Sequence, residues 1–567
     1  MLVSTASDLE KAARPDGSID SKDGEKQGSS EGPDAHSTSQ VGARITQESI
    51  VVYDEIAIER IVTRHSVASR ARQSMFSKLS RKTKSREKLP PPVLPITDLD
   101  NGVVGWDHQQ DPEMPLNFTQ SRKWLIVSLL SLITAMTPFA SSILAPAIET
   151  LAKDLQVSSL TMASMPVSIF LLGYAVGPLV LSPLSEIYGR YVVFISATLW
   201  FCVWLIGCAL APSIETLVFF RFMSGLGGSA CQTIGGAIIA DVFPVSERGS
   251  AMALWMMGPI IGPSIGPVIG GFVAQTIGWR WTSWITLIPS LLATIGLAIF
   301  YPETNHRVLI ARKTEKLRKE LNRPELRSCY VSEDAPSVSK SGVLLVGLIR
   351  PIKMLFTSII IFGASLYIAF AYGCLYLLFN TIPIVFEKTY HWSLGVTGLV
   401  YFSLLAGNFV GLAIFSRLSD RTVVRMTREN DGVYEPEMRL ADCVWFGLFL
   451  PVPFFWYGWA ADQAIHPAVT IIGLGFFGLA LNGIWLPTQA YLVDAYAEYA
   501  ASCLAAFAVL RCTVAAFLPL AGTQMYDTLG VGWGTSLLGF IAVGMIPIPS
   551  LIFKYGKVLR EKFPVHL

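Results

Sequence analysis

The sequence predicts an all-α membrane protein in which twelve transmembrane helices form two pseudo-symmetric bundles of six. The first reason is composition: of 567 residues, 52% are hydrophobic and only 15% are charged, whereas ordinary soluble domains carry about 25% charged residues. The second is that apolar runs of about 20 residues, the length that crosses a bilayer, recur from Lys123 onward. The third is that Lys and Arg fall almost entirely in alternate loops.

The apolar runs divide into six before and six after a long polar segment. We predict spans near residues 123–145, 160–182, 191–211, 215–240, 251–274, 280–301, 354–381, 393–415, 440–460, 467–491, 501–524 and 530–553. The domain organisation that follows is a disordered tail over 1–120, an N-terminal bundle over 121–301, a central loop over 302–353, a C-terminal bundle over 354–553 and a tail over 554–567.

The distribution of basic residues predicts which way each loop faces. The loops on one side contain only Lys153, Arg280 and Lys388. The loops on the other side contain many more, including eleven Lys and Arg residues over 307–353. Because basic loops stay in the cytosol, we expect both termini and the central loop to be cytosolic.

The polar segments have two features of their own. Residues 1–120 are rich in Ser, Lys, Arg and acidic residues, which is typical of disorder, and their basic stretch over 69–88 is either solvated or lies against anionic lipid. Alternating charges over 307–323 predict a helix in the central loop. We interpret it as an amphipathic brace at the membrane surface that couples the two halves.

The fifth span contains the most unusual stretch of the chain. Its glycines recur every fourth residue, and prolines follow three of them: Gly258, Pro259, Gly262, Pro263, Gly266, Pro267, Gly270 and Gly271. Glycines at this spacing form a stripe on which another backbone can approach closely. Each proline removes an amide donor, which a membrane helix tolerates when neighbouring groups satisfy the freed carbonyls. We predict a bent span that packs tightly against another helix.

The two halves resemble each other at the ends of spans 2 and 8. Gly177 precedes Glu186 by nine residues, and Gly411 precedes Asp420 by the same number. A parallel repeat of this kind places a substrate site near the membrane midplane, at the interface of the two repeats. The sequence therefore predicts a transporter with a central cavity.

Several motifs resemble those of the major facilitator superfamily, in particular its fungal twelve-span drug:proton antiporter branch of multidrug, polyamine and secondary-metabolite exporters. Residues 177–190 (GPLVLSPLSEIYGR) resemble the loop motif between spans 2 and 3, residues 221–227 (RFMSGLG) the arginine motif of span 4, and residues 258–271 the antiporter motif of span 5. The stretches GWDHQQDPEMPLN, YPETNHRVL and TIPIVFEKTYHWS resemble fungal members. Glu186 departs from the loop motif, which usually has Asp there, so the charge is kept on a longer arm.

Few ionisable residues lie within the spans, and each is a functional candidate because inserting a charge is costly. The candidates for proton coupling are Arg221, Asp241, Asp494 and Arg511. The resemblance implies proton coupling for Arg221, and the alternative is a structural arginine bonded to backbone carbonyls. For Arg511 a structural role and a contact to substrate are both open, and Asp241 and Asp494 are either latches or helix caps. The first span contains no acidic residue, which excludes proton carriage by a carboxylate there.

A conformational latch is predicted at the cytosolic ends of the spans. It comprises Gly177, Glu186, Gly189 and Arg190, with a mirror in Asp420 and Arg421. Gly189 permits a tight turn, and the Glu186 carboxylate is expected to lie against a helix N-terminus or a basic partner in the other half. The alternative is that Arg190 only anchors its loop inside.

Candidate substrate contacts lie in spans 7 and 10. They are Tyr372, Tyr376, Phe379, Asn380, Asn482, Trp485 and Gln489. Aromatic walls with a few amides suit large, mostly apolar molecules, including cations that bind to ring faces. The alternative is that these aromatic residues pack against other helices or face lipid.

The sequence thus predicts a secondary active transporter that exports hydrophobic or amphipathic small molecules from the cytosol in exchange for protons. Two bundles would rock about a central site. The expected partners are a small-molecule substrate, protons and the lipid bilayer, with no nucleic acid, cofactor or metal. We expect a monomer in the plasma membrane, or in the vacuolar membrane. The first alternative is a proton-coupled polyamine or nutrient carrier of the same fold.

Other classes of protein fit the sequence less well. No phosphate-binding GxxxxGK[ST] pattern occurs, which disfavours an ATP-driven pump. The seven histidines are scattered without acidic partners at a spacing useful for catalysis, so a multi-span membrane enzyme is a remote alternative. The eight cysteines show no CxxC spacing, and we expect free thiols. A channel is disfavoured because the repeat and the fifth span suit alternating access.

Overall fold

The computed structural model describes residues 94–563 apart from 245–246, 332–339 and 497–498. The basic stretch over 69–88 and most of the predicted tail therefore lie outside the described residues. In the described part, eleven helices are long and apolar enough to cross a membrane. The chain is accordingly a multi-pass, almost entirely helical membrane protein.

The spans follow one another with short connections. They are span 1, Gln120–Ser142; span 2, Leu160–Ile187; span 3, Arg190–Leu210; span 4, Ile214–Gly228 followed by Ala230–Val242; span 5, Arg248–Thr276; span 6, Arg280–Phe300; span 7, Ile359–Tyr390; span 8, Tyr401–Glu429; span 9, Ala441–Phe449 followed by Pro451–Asp462; span 10, Pro467–Ala495; and spans 11 and 12 within Ala500–Met545. Short helices extend this set at Ile148–Asp154, Leu394–Gly398 and Pro547–Lys562, and single turns of 3-10 helix lie at Pro115–Asn117, Ala145–Ala147 and Pro436–Leu440.

Span 4 adds a twelfth crossing to the eleven helices counted above. It is absent from the eleven continuous helices because it forms two pieces of 15 and 13 residues that meet at Ser229. Spans 11 and 12 are separated by Gly530, whose positive φ of 73° interrupts the helical path. A left-handed residue of this kind suits glycine, which has no Cβ to clash.

Two helices follow span 6 and precede span 7 along the chain. The central helix, His306–Glu320, confirms the helix expected from the alternating charges. The connecting helix, Lys340–Thr357, ends immediately before Ser358, whose side chain caps span 7 by accepting from the N–H of Ile361. Span 7 therefore begins at Ile359 and not near 354 as predicted, because hydropathy does not register a capping serine.

Residues 94–118, which we call the pre-span segment, correct the predicted extent of disorder. Strand β1 (Val103–Val104) pairs in parallel with β2 (Arg327–Ser328) beyond the central helix. One apolar cluster joins the segment to the central helix: Leu94, Val104, Trp106, Met114, Ile310 and Leu326. The sequence did not show this fold because the apolar residues of the segment are few and complete a core only with partners far along the chain.

The two halves contact each other through spans 2 and 11 and through spans 5 and 8. Span 1 begins and the helix Pro547–Lys562 ends at the same membrane face, which we call the terminal face. Near the opposite face, Gly271 of span 5 approaches Leu394, so that a Cβ there would lie 2.8 Å from the Leu394 carbonyl oxygen. The cavity between the halves is lined by residues of spans 5, 7, 8 and 10.

Candidate functional site

A small cavity of about 20 Å³, roughly the space of one water molecule, lies between spans of both halves. Its lining residues are Pro259, Ile260, Pro263, Ser264, Tyr372, Leu375, Asn408, Leu481, Asn482 and Trp485. Of the predicted substrate contacts, Tyr372, Asn482 and Trp485 lie in this wall. The lining contains no acidic or basic side chain.

Span 5 presents different faces to span 1 and to the cavity. A Cβ added to Gly258 would lie 2.9 Å from the main-chain nitrogen of Ala135, and one added to Gly262 would lie 2.6 Å from the Ala135 carbonyl oxygen. Both contacts are with span 1 of the same half, as are those of Gly266 and Gly270 with Ser142 and Ile143. Pro259 and Pro263 line the cavity instead. The tight packing predicted for this span is thus within one bundle.

Arg511 of span 11 lies against the cavity wall. Its guanidinium carbon is 4.5 Å from the ring centroid of Trp485, 4.7 Å from that of Tyr372 and 5.7 Å from that of Phe507. The residue is only 3% exposed, and its Nε has no hydrogen-bond partner. A guanidinium at mid-span costs about 2.5–3.5 kcal/mol on insertion scales, and each ring face offsets about 0.5–2 kcal/mol. The rings therefore hold the charge in place.

The remaining aromatic candidates form a ladder along span 7. Tyr372 and Tyr376 have ring centroids 5.2 Å apart, and Tyr376 and Phe379 are 5.3 Å apart. The hydroxyl of Tyr376 lies 2.7 Å from the Ser141 hydroxyl of span 1, which links the halves. Tyr376 and Phe379 are buried behind Tyr372 and do not line the cavity.

The amide candidates have separate environments. Asn482 donates from Nδ2 to Oδ1 of Asn408, at 2.7 Å, so that a pair of amides forms one part of the cavity wall. Gln489 accepts from Trp485 Nε1 at 3.0 Å and so fixes the orientation of that indole. Asn380 is buried, with no partner for either side-chain polar atom. Asn408 was not among the predicted residues, since a single amide in span 8 carries no pattern.

Arg221 lies in a second buried position. Its Nε donates to the carbonyl oxygen of Pro166 at 3.1 Å, its guanidinium carbon is 5.0 Å from the Phe170 ring centroid, and Nη2 has no partner. The residue is 3% exposed and does not line the cavity. The backbone bond expected in the structural alternative is present, while the unpaired N–H leaves proton coupling a prediction.

A charged cluster closes the terminal face of the N-terminal half. The Glu303 carboxylate accepts from the main-chain N–H groups of Arg190, Thr304 and Asn305 at 2.8, 3.0 and 2.9 Å. The Arg190 side chain lies 3.6 Å from the Asp241 carboxylate and donates to Ser185 at 2.6 Å. These contacts join the start of span 3 to the ends of spans 4 and 6.

The latch residues are placed differently from the prediction. Glu186 is exposed and forms no ion pair with any residue that the structure describes. The carboxylate that lies against the N-terminus of span 3 is that of Glu303, whose side chain occupies the space where a Cβ of Gly189 would be. Gly189 has a φ of 104° and so makes the predicted tight turn. Gly177 packs against Ser229 of span 4 and not against the other half.

A similar cluster closes the C-terminal half. Asp494, near the end of span 10, accepts from Arg439 and from the hydroxyl of Tyr434, the latter at 2.6 Å. Glu437 binds Arg560 through two hydrogen bonds of 2.9 and 3.0 Å. Asp494 and Asp241 are thus each paired with an arginine at the end of their half, and whether they act as latches or helix caps stays a prediction. Arg421 is exposed, and the side chain of Asp420 lies outside the described part of the structure.

Comparison with known proteins agrees with this architecture. A model of the Major Facilitator Superfamily matches residues 130–519. The MFS transporter cpaT of Aspergillus oryzae is 43% identical over 457 residues, covering 81% of this chain and 91% of that protein. The efflux pump radE of Floropilus chiversii is 41% identical over 471 residues, covering 82% and 87%.

Solved structures show the same fold at low identity. The partially occluded, inward-open xylose transporter XylE from E. coli aligns with a TM-score of 0.58 at 16% identity, over 77% of this chain and 98% of the other. The matched proteins are membrane transporters of small molecules and not enzymes. With its twelve crossings and a family match over most of its length, this chain belongs to the major facilitator superfamily of membrane transporters.

Proposed function

We propose that this transporter exports hydrophobic or amphipathic small molecules, such as drugs, toxins or secondary metabolites, from the cytosol in exchange for protons. The observation that carries the proposal is the central cavity, whose walls are the span 5 prolines, aromatic rings and an amide pair. Such walls suit mostly apolar molecules, which the cavity would admit as the two halves move apart. One relative, radE, is named an efflux pump, which supports outward movement. In this proposal the chain is a monomer of the plasma membrane with both termini in the cytosol.

Alternating access is the proposed mechanism. The charged cluster at the terminal face of each half supports it. Each cluster lies within one half: Glu303, Arg190 and Asp241 in the first, Arg439 and Asp494 in the second. Clusters of this kind keep each bundle rigid while the bundles rotate against each other. The hydrogen bonds that join the halves, such as Ser141 to Tyr376 and Gly395 N–H to Gln275, are each weak enough to break and re-form during that movement.

Proton exchange is assigned to the buried arginines and the carboxylates of the end clusters. Arg221 and Asp241 lie on the same span, and Asp494 and Arg511 lie on adjacent spans of the other half. A fixed cation favours the ionised form of an acid that comes near it, so a change in their separation releases or binds a proton. Asp241, held by Arg190 at 3.6 Å, is the carboxylate whose pairing would change most easily.

The test is retention of labelled lipophilic compounds in pump-deficient yeast that express the chain, with and without a protonophore. Wild type, Arg221→Gln and the charge-conserving Arg221→Lys are compared at equal surface expression. We expect wild type to expel at least one compound, and the protonophore and Arg221→Gln to abolish this expulsion. Accumulation of a compound above the level of empty cells would instead indicate import.

A proton-coupled polyamine or nutrient carrier of the same fold is the second candidate. A polyamine carries several positive charges and needs carboxylates in its binding site. The cavity wall contains none, so this candidate is weaker. Uptake of labelled spermidine by the same cells distinguishes the two, because only the carrier would raise it.

A further inference from the structure

Two cations are buried in the spans without an anion. Arg221 and Arg511 are each 3% exposed, and each has one nitrogen without a hydrogen-bond partner. Neither forms an ion pair with a carboxylate that the structure describes. The carboxylates of Asp241 and Asp494 are bound to other arginines at the terminal face. Buried charges are normally paired, so the centre of this protein lacks a counter-charge.

The aromatic rings of the cavity already contact a cation of the protein itself, the guanidinium of Arg511. Arg511 lies over the rings of Tyr372 and Trp485, which are the aromatic residues of the cavity lining. A cationic substrate at these rings would be repelled by the guanidinium at short range. The position of Arg511 therefore argues against the sequence-based expectation that these ring faces bind a cationic substrate.

The guanidinium remains able to bind an anion. Cation–π contacts use its flat faces, whereas hydrogen bonds to a carboxylate use its N–H edges. The Nε edge of Arg511 has no acceptor. Arg511 does not itself line the cavity but contacts its Tyr372 and Trp485 rings, and Pro259, Pro263 and the Asn408–Asn482 amide pair form other parts of the wall. These neutral walls suit the apolar body of a molecule whose acidic group points towards span 11.

We propose that the substrate is an organic anion: a flat, largely apolar molecule with one carboxylate or similarly acidic group, which enters the central cavity as it widens between the halves and pairs with Arg511 next to the Tyr372 and Trp485 rings. Binding would supply the missing counter-charge and bury the apolar body between the span 5 prolines and the Tyr372–Trp485 rings. Arg221 adds to the positive potential from the other half. The inference rests on the proposed function for its export step, but the binding preference can be measured without transport.

The test uses three probes that share one ring system and differ in charge: pyrenebutyrate, the uncharged pyrenebutanol and the cationic pyrenebutyltrimethylammonium. Binding to the full-length protein in lipid nanodiscs is followed by fluorescence anisotropy, with protein-free nanodiscs as the background. We expect pyrenebutyrate to bind at least roughly tenfold more tightly than the cation, because a charge-assisted bond contributes that much or more.

Variants then locate the preference. Arg511→Gln should weaken pyrenebutyrate binding by roughly tenfold and leave pyrenebutanol unchanged, while Arg511→Lys should retain part of the preference. If Arg511→Gln does not fold, the comparison of the three probes on the unmodified protein still decides. Tighter or equal binding of the cation, or no saturable binding of pyrenebutyrate, would overturn the proposal.

Cell-based efflux of the same probes separates this inference from the proposed function. If cells expel pyrenebutanol or the cation but not pyrenebutyrate, export stands and the anion preference fails. If pyrenebutyrate binds to the purified protein and depends on Arg511, but cells do not expel it, the anion site stands and the export of such molecules fails.

Discussion

The Oε1 atom of Glu303 accepts a hydrogen bond from the main-chain N–H of Arg190 at 2.8 Å, across 113 positions of the chain. The same oxygen accepts from Thr304 and Asn305, and the residue is 9% exposed. One carboxylate therefore satisfies the turn between spans 2 and 3 and the first turn after span 6. The end of one bundle depends on this side chain.

Replacement of Glu303 by alanine should destabilise the protein. Three buried N–H groups would lose their acceptor, and leaving buried donors unsatisfied costs about 1–3 kcal/mol each before any rearrangement. We expect a clear fall in the unfolding temperature and in surface expression, measured on the purified protein and in cells. Glu186→Ala is the matched control, because Glu186 is an exposed carboxylate of the same region. A loss as large for Glu186→Ala would show that the assignment of the two glutamates is wrong.

The glycine stripe of span 5 offers a second test of packing. In Gly262→Ala the new methyl group would lie 2.6 Å from the Ala135 carbonyl oxygen and 3.0 Å from the Phe139 nitrogen. Spans 1 and 5 would have to separate, at a cost of about 1–3 kcal/mol. Gly249→Ala, on the same helix, meets no atom within 4 Å and should be neutral or slightly stabilising. Thermal unfolding of both variants checks the contrast, which a similar loss in both would contradict.

These two sites show what the sequence could and could not predict. Periodicity and hydropathy located the spans because each span must bury or expose a continuous apolar surface. The stripe from Gly258 to Gly270 predicted close packing, although not that the partner is span 1. The role of Glu303 was hidden because its partners, the N–H groups of a distant turn, are main-chain atoms that leave no pattern in the sequence.

The central site was predictable only in part. Tyr372, Asn482 and Trp485 were found because aromatic and amide residues are unusual within apolar spans. Which rings line the cavity and which pack behind it depends on helix rotation, and a single span does not determine its own rotation. The contact between Arg511 and Trp485 joins spans 10 and 11, so neither span alone could indicate it.

Acidification should loosen the pre-span segment. The His306 ring contacts the Asp241 carbonyl oxygen through Nε2 at 3.1 Å and meets Trp106 edge-on. Burial lowers the pKa of His306 below its ordinary value, so the fold disfavours the charged ring. The stabilisation from the neutral ring is therefore complete above about pH 6.5, the usual histidine pKa, and is lost as the pH falls through the lower pKa of the folded state. Nε2 still donates to the Asp241 carbonyl oxygen when the ring is protonated, so the loss comes from burying the charged ring.

Hydrogen exchange of residues 94–118, corrected for intrinsic rates, measures this effect. Protection should fall as the pH is lowered from about 7 to about 5, and His306→Gln should remove most of that dependence while keeping a polar side chain. An unchanged pH dependence in His306→Gln would assign the loosening to another group.

The charge of the substrate should determine how the membrane potential drives export. One elementary charge moved across 100 mV corresponds to about 2.3 kcal/mol. Export of an anion in exchange for one proton moves two charges in the same electrical sense, a neutral molecule exchanged for a proton moves one, and a cation exchanged for a proton moves none.

Proteoliposomes with a potassium gradient and valinomycin set the potential, and the final distribution of pyrenebutyrate reports the charge moved. We expect the dependence of two charges, and Arg511→Lys should slow the approach to that distribution without changing it, because a binding residue alters the rate and not the stoichiometry. A distribution of pyrenebutyrate that ignores the potential would mean that the anion does not cross as a charged species, and proton exchange in the proposed form would then be wrong.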